Sequence, residues 1–181
     1  AETNKPVGSV HGDSTGVHAS DAANAWRNLA RAADPRNKAV CLILGAWQVA
    51  RDRWDPAFLR QEPYPREEAQ ARVRELGPDV LLRNLDEAIR ANDQPRAAAL
   101  AQRYTQLDLP VRPIWELLLG YAISQDGALH AEKYYRTTSE EFARTRPAFR
   151  WRQLIALTRV SASAYGYPAP ACAEARRLIQ A

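Results

Sequence analysis

The chain has 181 residues, 46% of them hydrophobic and 25% charged, and a net charge of +4. A chain of that length buries about 70% of its unfolded surface without a metal or disulfide staple, which excludes wholesale disorder, a collagen-like repeat and a disulfide-dense secreted scaffold. Only Lys5, Lys38 and Lys133 among the 25 basic residues are lysines, a bias that a GC-rich coding sequence writes by itself, although arginine adds planar stacking chemistry that lysine lacks.

Residues 1–19 are rich in Gly, Ser and Thr and show no sustained period, so they read as a flexible or extended arm. His11-Gly-Asp-Ser14 in that arm looks like a hydrolase nucleophile block, but the preceding residues are polar and no Asp-x-x-His base follows. The chain opens at Ala1 and contains no methionine. That opening suits a mature exported protein, so export is the expected address.

From residue 20 onward prolines punctuate helical segments. Asp34-Pro35, Asp55-Pro56 and Gly77-Pro78 look like helix starts, because proline in the first turn lacks only an N–H that would be unpaired anyway. The spacing predicts helices over 21–33, 36–52, 65–76, 78–92, 95–107, 112–124, 127–145, 147–165 and 170–180, with a short turn at 56–60. The most apolar run, Ala39–Ala50, is too short for a membrane span of about 20 residues and reads as core. In the segment at 78–92, Val80, Leu81, Leu85, Ala88 and Ile89 form one face. In the segment at 112–124, Trp115, Leu118, Leu119, Ala122 and Ile123 form a broader stripe, which predicts a central helix. No segment alternates like a strand. The expected fold is all-α, a single domain over 20–181 built as an antiparallel α-hairpin array or an irregular bundle of about eight to nine helices.

Two cysteines, Cys41 and Cys172, have no metal or redox spacing. Cys41 reads as an inert buried thiol, with a Cys41–Cys172 bridge the lesser expectation under export. No metal site is expected, and no cofactor is specified.

Two constellations carry candidate chemistry. His130, Tyr134, Thr137 and Glu141 share one helical stripe. His130 and Tyr134 are close enough there to cooperate as acid–base and hydrogen-bond donor, or simply to bond across a helix interface. Arg144, Arg146, Arg150, Arg152 and Arg159 interleave with Phe142, Phe149 and Trp151, and no acid lies between Glu141 and Glu174. Residues 1–60, 61–120 and 121–181 carry +2, −2 and +4, so the C-terminal third holds the surplus. Such a face can dock an acidic protein surface. Its arginines can equally pair with Glu67, Glu68 or Glu87 of the same chain or of another copy.

The first functional reading is therefore a non-enzymatic helical binding or scaffold protein, an accessory subunit of a larger assembly. It would dock through the basic C-terminal face and the N-terminal arm. Homo-oligomerisation fits the same charge asymmetry. The alternative is a small metal- or cofactor-dependent enzyme at the His130–Tyr134 stripe, and nucleic-acid binding through the arginines is the third choice.

Overall fold

Proline opens several of the helices in the computed structural model, which describes residues 15–52, 62–124, 128–166 and 170–180. Among them are nine α-helices and no strand: α1 (Thr15–Ala32), α2 (Pro35–Arg51), α3 (Glu67–Val73), α4 (Pro78–Arg90), α5 (Gln94–Gln106), α6 (Val111–Ala122), α7 (Ala128–Arg144), α8 (Pro147–Ala164) and α9 (Pro170–Ile179). Asp34 shows the starting mechanism. Its side chain accepts hydrogen bonds from the Arg36 and Asn37 amides, both at 3.0 Å, while Pro35 opens the first turn. Asp93 caps α5 in the same way through the Arg96 amide.

The helical class agrees with the sequence reading, with one shift. Residues 15–19 belong to α1 rather than to the arm, because Val17 is buried and its packing outweighs the poor helix propensity of Thr15 and Gly16. The rest of the expected arm and the expected turn at 56–60 lie outside the described residues.

By contact the chain groups into two compact units, Gly12–Pro63 and Tyr64–Ala181. In the first unit α1 packs on α2. Gly45 sets their separation: a Cβ there would stand 3.2 Å from the Trp26 Cβ. The run 39–50 is not core. No residue of α2 is buried, and Leu42, Ile43 and Trp47 are 56%, 68% and 55% exposed. A two-helix hairpin covers only one side of each helix, and apolar residues all round α2 exceed what α1 can cover.

The second unit is organised around α8, which packs against α4, α5, α6 and α7. Its half from Leu154 to Ala164 is buried on nearly every side, and short Thr158, Ser161, Ala162 and Ser163 let neighbouring helices come close. Packed on it, α5 buries Ala97, Ala98, Leu100 and Ala101, all essentially without solvent exposure. The sequence stripe on α4 holds, with Leu81, Leu85, Ala88 and Ile89 buried. On α6 the buried face is instead Ile114, Leu118, Tyr121 and Ala122, while Leu119 and Ile123 face solvent, so the central place belongs to α8.

Because α5 packs on α8, three helices further on, unit two is a bundle rather than a stack of nearest neighbours. Asn92 fastens it. It ends α4 in the left-handed region at φ 54°, a conformation asparagine tolerates better than most residues. Its Nδ2 donates to the Ala162 and Tyr165 carbonyls, both at 2.9 Å, and thereby closes the exit of α8.

Candidate functional site

Six of the thirteen large hydrophobic residues exposed among the described ones lie on α2. Val40, Ile43, Leu44 and Trp47 stand at helical spacing on the side turned away from the Gly45–Trp26 contact, and all four are exposed. The Arg51 guanidinium lies 5.4 Å from the centre of the Trp47 ring and extends the stripe at its C-terminal end. On the flank, a groove of about 530 Å³ between α1 and α2 is lined by Trp26, Cys41, Leu42, Gly45 and Val49. Cys41 is a half-buried free thiol in that groove. Sequence reasoning identified this run as apolar but assigned it to the interior.

The arginine constellation divides. Arg146 and Arg152 stand 5.2 and 5.0 Å from the Phe149 ring and form an exposed basic and aromatic patch at the start of α8. Arg144 pairs with Glu140 of its own helix. Arg150 covers Phe142 at 5.5 Å. Phe142 belongs to an edge-to-face chain, Tyr135–Trp115–Phe142–Trp151, that ties α6, α7 and α8 together. Arg159 leaves the face altogether. Its Cζ sits 3.7 Å from the Tyr64 ring centre, and its Nη2 donates to Gln94 Oε1 at 3.2 Å. Burial pushes its guanidinium pKa below the ordinary value. Two of the three acids named as possible partners are used by other arginines: Glu68 pairs with Arg72, and Glu87 with Arg83 and Arg96.

The His130 stripe turns inward. Tyr134, Thr137 and Glu141 are 5%, 6% and 3% exposed, and His130 is half-buried. Tyr134 faces the Arg159 guanidinium and favours its charge. The stripe is thus enclosed over Tyr134, Thr137 and Glu141 and half-open at His130. Among the described residues no three His, Cys, Asp or Glu side chains are grouped to hold a metal ion.

A further polar cluster, not singled out in the sequence, lines a cleft of about 470 Å³ between α4, α6 and the end of α8. Asp86 accepts from Arg90 Nε at 2.9 Å and from the Tyr121 hydroxyl at 2.5 Å. Arg90 lies within 6 Å of the Tyr121 and Tyr165 rings, which meet edge to face. These groups sit 31 to 79 residues apart in sequence, apart from the Asp86–Arg90 pair, so local spacing gives no signal for them. Each charge in the Asp86–Arg90 pair already has its partner, which makes the cluster a staple between helices. Burial pushes the Asp86 carboxyl up, but hydrogen bonds from Arg90 and Tyr121 and the Arg90 charge outweigh it and hold the carboxyl below its usual range. Burial, with the bond to Asp86, pushes the Tyr121 phenol above its usual range.

The pH dependence follows from those directions. A depressed carboxyl contributes stability above its unfolded pKa of about 4, and loses it as pH falls through the lower folded value. A raised phenol contributes stability below its unfolded pKa of about 10, and loses it as pH rises beyond that. Asp86→Asn should therefore cost on the order of 1 kcal/mol at pH 7, and the gap to the parent protein should narrow as pH falls below the ordinary carboxyl range of about 4. Thermal melts of both proteins from pH 2 to 7 check this; a gap that stays constant with pH would contradict it.

No protein-family model, curated protein or solved structure matches the chain. The functional reading therefore stands on the surfaces and clusters described above.

Proposed function

We propose that the chain is a non-enzymatic helical binding protein, an accessory subunit of a larger assembly, which docks through α2. The observation that carries this reading is a 17-residue helix with no buried residue whose large apolar side chains, Ile43 and Trp47 foremost, face solvent. Exposed apolar stripes of this kind are the usual mark of a partner surface. A membrane span is not the explanation, since no helix among the described residues is long and apolar enough to cross one. The Arg146–Phe149–Arg152 patch is a second, smaller docking surface, of the composition that suits an acidic protein rim. This reading gives less weight to Arg159, which is engaged with Tyr64 and Gln94, and to Tyr134, which is enclosed.

The test is purification of the chain from its native source. A stoichiometric protein partner is expected to co-purify. The double variant Ile43→Asp/Trp47→Asp should lose that partner while its melting temperature stays within a few degrees of the parent, because both positions are more than half exposed. Retention of the partner by the folded double variant would remove α2 from the account.

A further inference from the structure

The outer stripe of α2 has charged ends as well as an apolar middle. Arg36, Val40, Ile43, Leu44, Trp47 and Arg51 follow one another at spacings of three or four residues and share one side of the helix. All six are exposed. Arg36 and Arg51 form no ion pair among the described residues, and Arg51 is held on the stripe by Trp47. The acids at the two ends of the helix are differently placed. Asp34 is engaged by Asn37 and by the first turn, and Asp52 by Gln48. Both fall by helical periodicity on the side of Gly45, toward α1.

Resting on the reading of α2 as a docking helix, we infer that its partner is a single amphipathic helix of another protein, with carboxylates flanking an apolar stripe at both ends. The stripe runs about 22 Å from Arg36 to Arg51, so the flanking acids of the partner stand about four turns apart. Charge complementarity selects this occupant over a second copy of the chain. In a two-fold pair of α2 helices, the parallel arrangement sets Arg36 against Arg36 and Arg51 against Arg51, and the antiparallel one sets Arg36 against Arg51. Either brings like charges together at both ends. The area points the same way. The four apolar side chains expose roughly 400 Å², about half of the ~800 Å² that each partner gives to a standard interface. That suffices for one helix laid along the stripe in the helix-in-groove manner, and it is little to hold two copies together against their charges.

The probe is a synthetic amphipathic helix of about 18 residues, with leucines on one stripe and glutamates at both ends, titrated calorimetrically into the full-length protein. A matched peptide with lysines at the ends is the control. The glutamate peptide should bind about tenfold more tightly than the lysine peptide at low salt, and the preference should shrink as salt rises. Arg36→Glu/Arg51→Glu should invert the preference, and Ile43→Asp should lose both peptides. Equal binding of the two peptides would overturn the charge-matched partner while leaving α2 as an apolar docking surface. Binding that Ile43→Asp does not affect would place the peptide elsewhere and count against both. Binding of neither peptide overturns the inference. So does concentration-dependent dimerisation in sedimentation, lost in Ile43→Asp, or attachment to phosphatidylserine vesicles by a protein that ignores both peptides.

Discussion

Leu118→Ala should lower the melting temperature of the protein by roughly 5–15 °C, whereas Ile43→Ala should leave it almost unchanged. Leu118 is fully buried on α6, and removing three buried carbons from a packed interior costs about 2–5 kcal/mol when the cavity cannot collapse, or about 2–4 °C per kcal/mol in a chain of this size. Ile43 is 68% exposed. Truncating it removes little buried surface, and alanine's better helix propensity offsets part of even that loss. Isoleucine and leucine are chemically near-identical in hydrophobicity, so the contrast isolates the environment. Melts followed by circular dichroism decide it. A large loss at Ile43 would return α2 to the interior of the molecule, and a small one at Leu118 would deny α6 its place in the core of the second unit.

Arg159→Ala should destabilise the second unit by about 2–4 kcal/mol, and Arg152→Ala by about 0.5 kcal/mol. The two arginines lie on one helix seven residues apart, yet they meet different surroundings. The Arg159 Cζ sits over the Tyr64 ring at 3.7 Å and its Nη2 bonds Gln94, where desolvation strengthens a cation–π contact to about 2 kcal/mol or more and truncation leaves a gap. Arg152 covers the partly exposed Phe149 at the surface. Arg159→Lys should recover only part of the loss, since an ammonium cannot reproduce the planar stack. Equal melting of the two alanine variants would place Arg159 back on the basic face with Arg152.

Helix positions were legible because their signals are local. Asp34-Pro35, Gly77-Pro78 and Asp93-Gln94-Pro95 each place a cap or a preset φ within a few residues of the boundary. Burial was less legible, because it depends on what stands opposite. The run 39–50 and the α8 segment 154–164 show the failure from both sides: one is strongly apolar and exposed, the other is rich in Ser, Thr and Ala and enclosed. A helix buried all round has no amphipathic contrast to betray it. The site followed the same division. The basic patch could be read from the interleaving of Arg146, Phe149 and Arg152, whereas the withdrawal of Arg159 depends on Tyr64, far away in sequence. The Asp86–Tyr121–Tyr165 cluster likewise needs three elements in place before it exists.

The packing of α5 against α8 also orders events during synthesis. Part of the buried surface of α5 lies against α8, and α8 is made last among the helices around that contact. At ~5–20 residues per second, roughly 3–12 s separate the completion of α5 from that of α8. During that interval that surface of α5 is open to chaperones and to neighbouring nascent chains. A ribosome that stops before Ala162 leaves the Asn92 carboxamide without either of the carbonyls it closes on, so a stalled product is a target for proteolysis rather than a shorter working bundle.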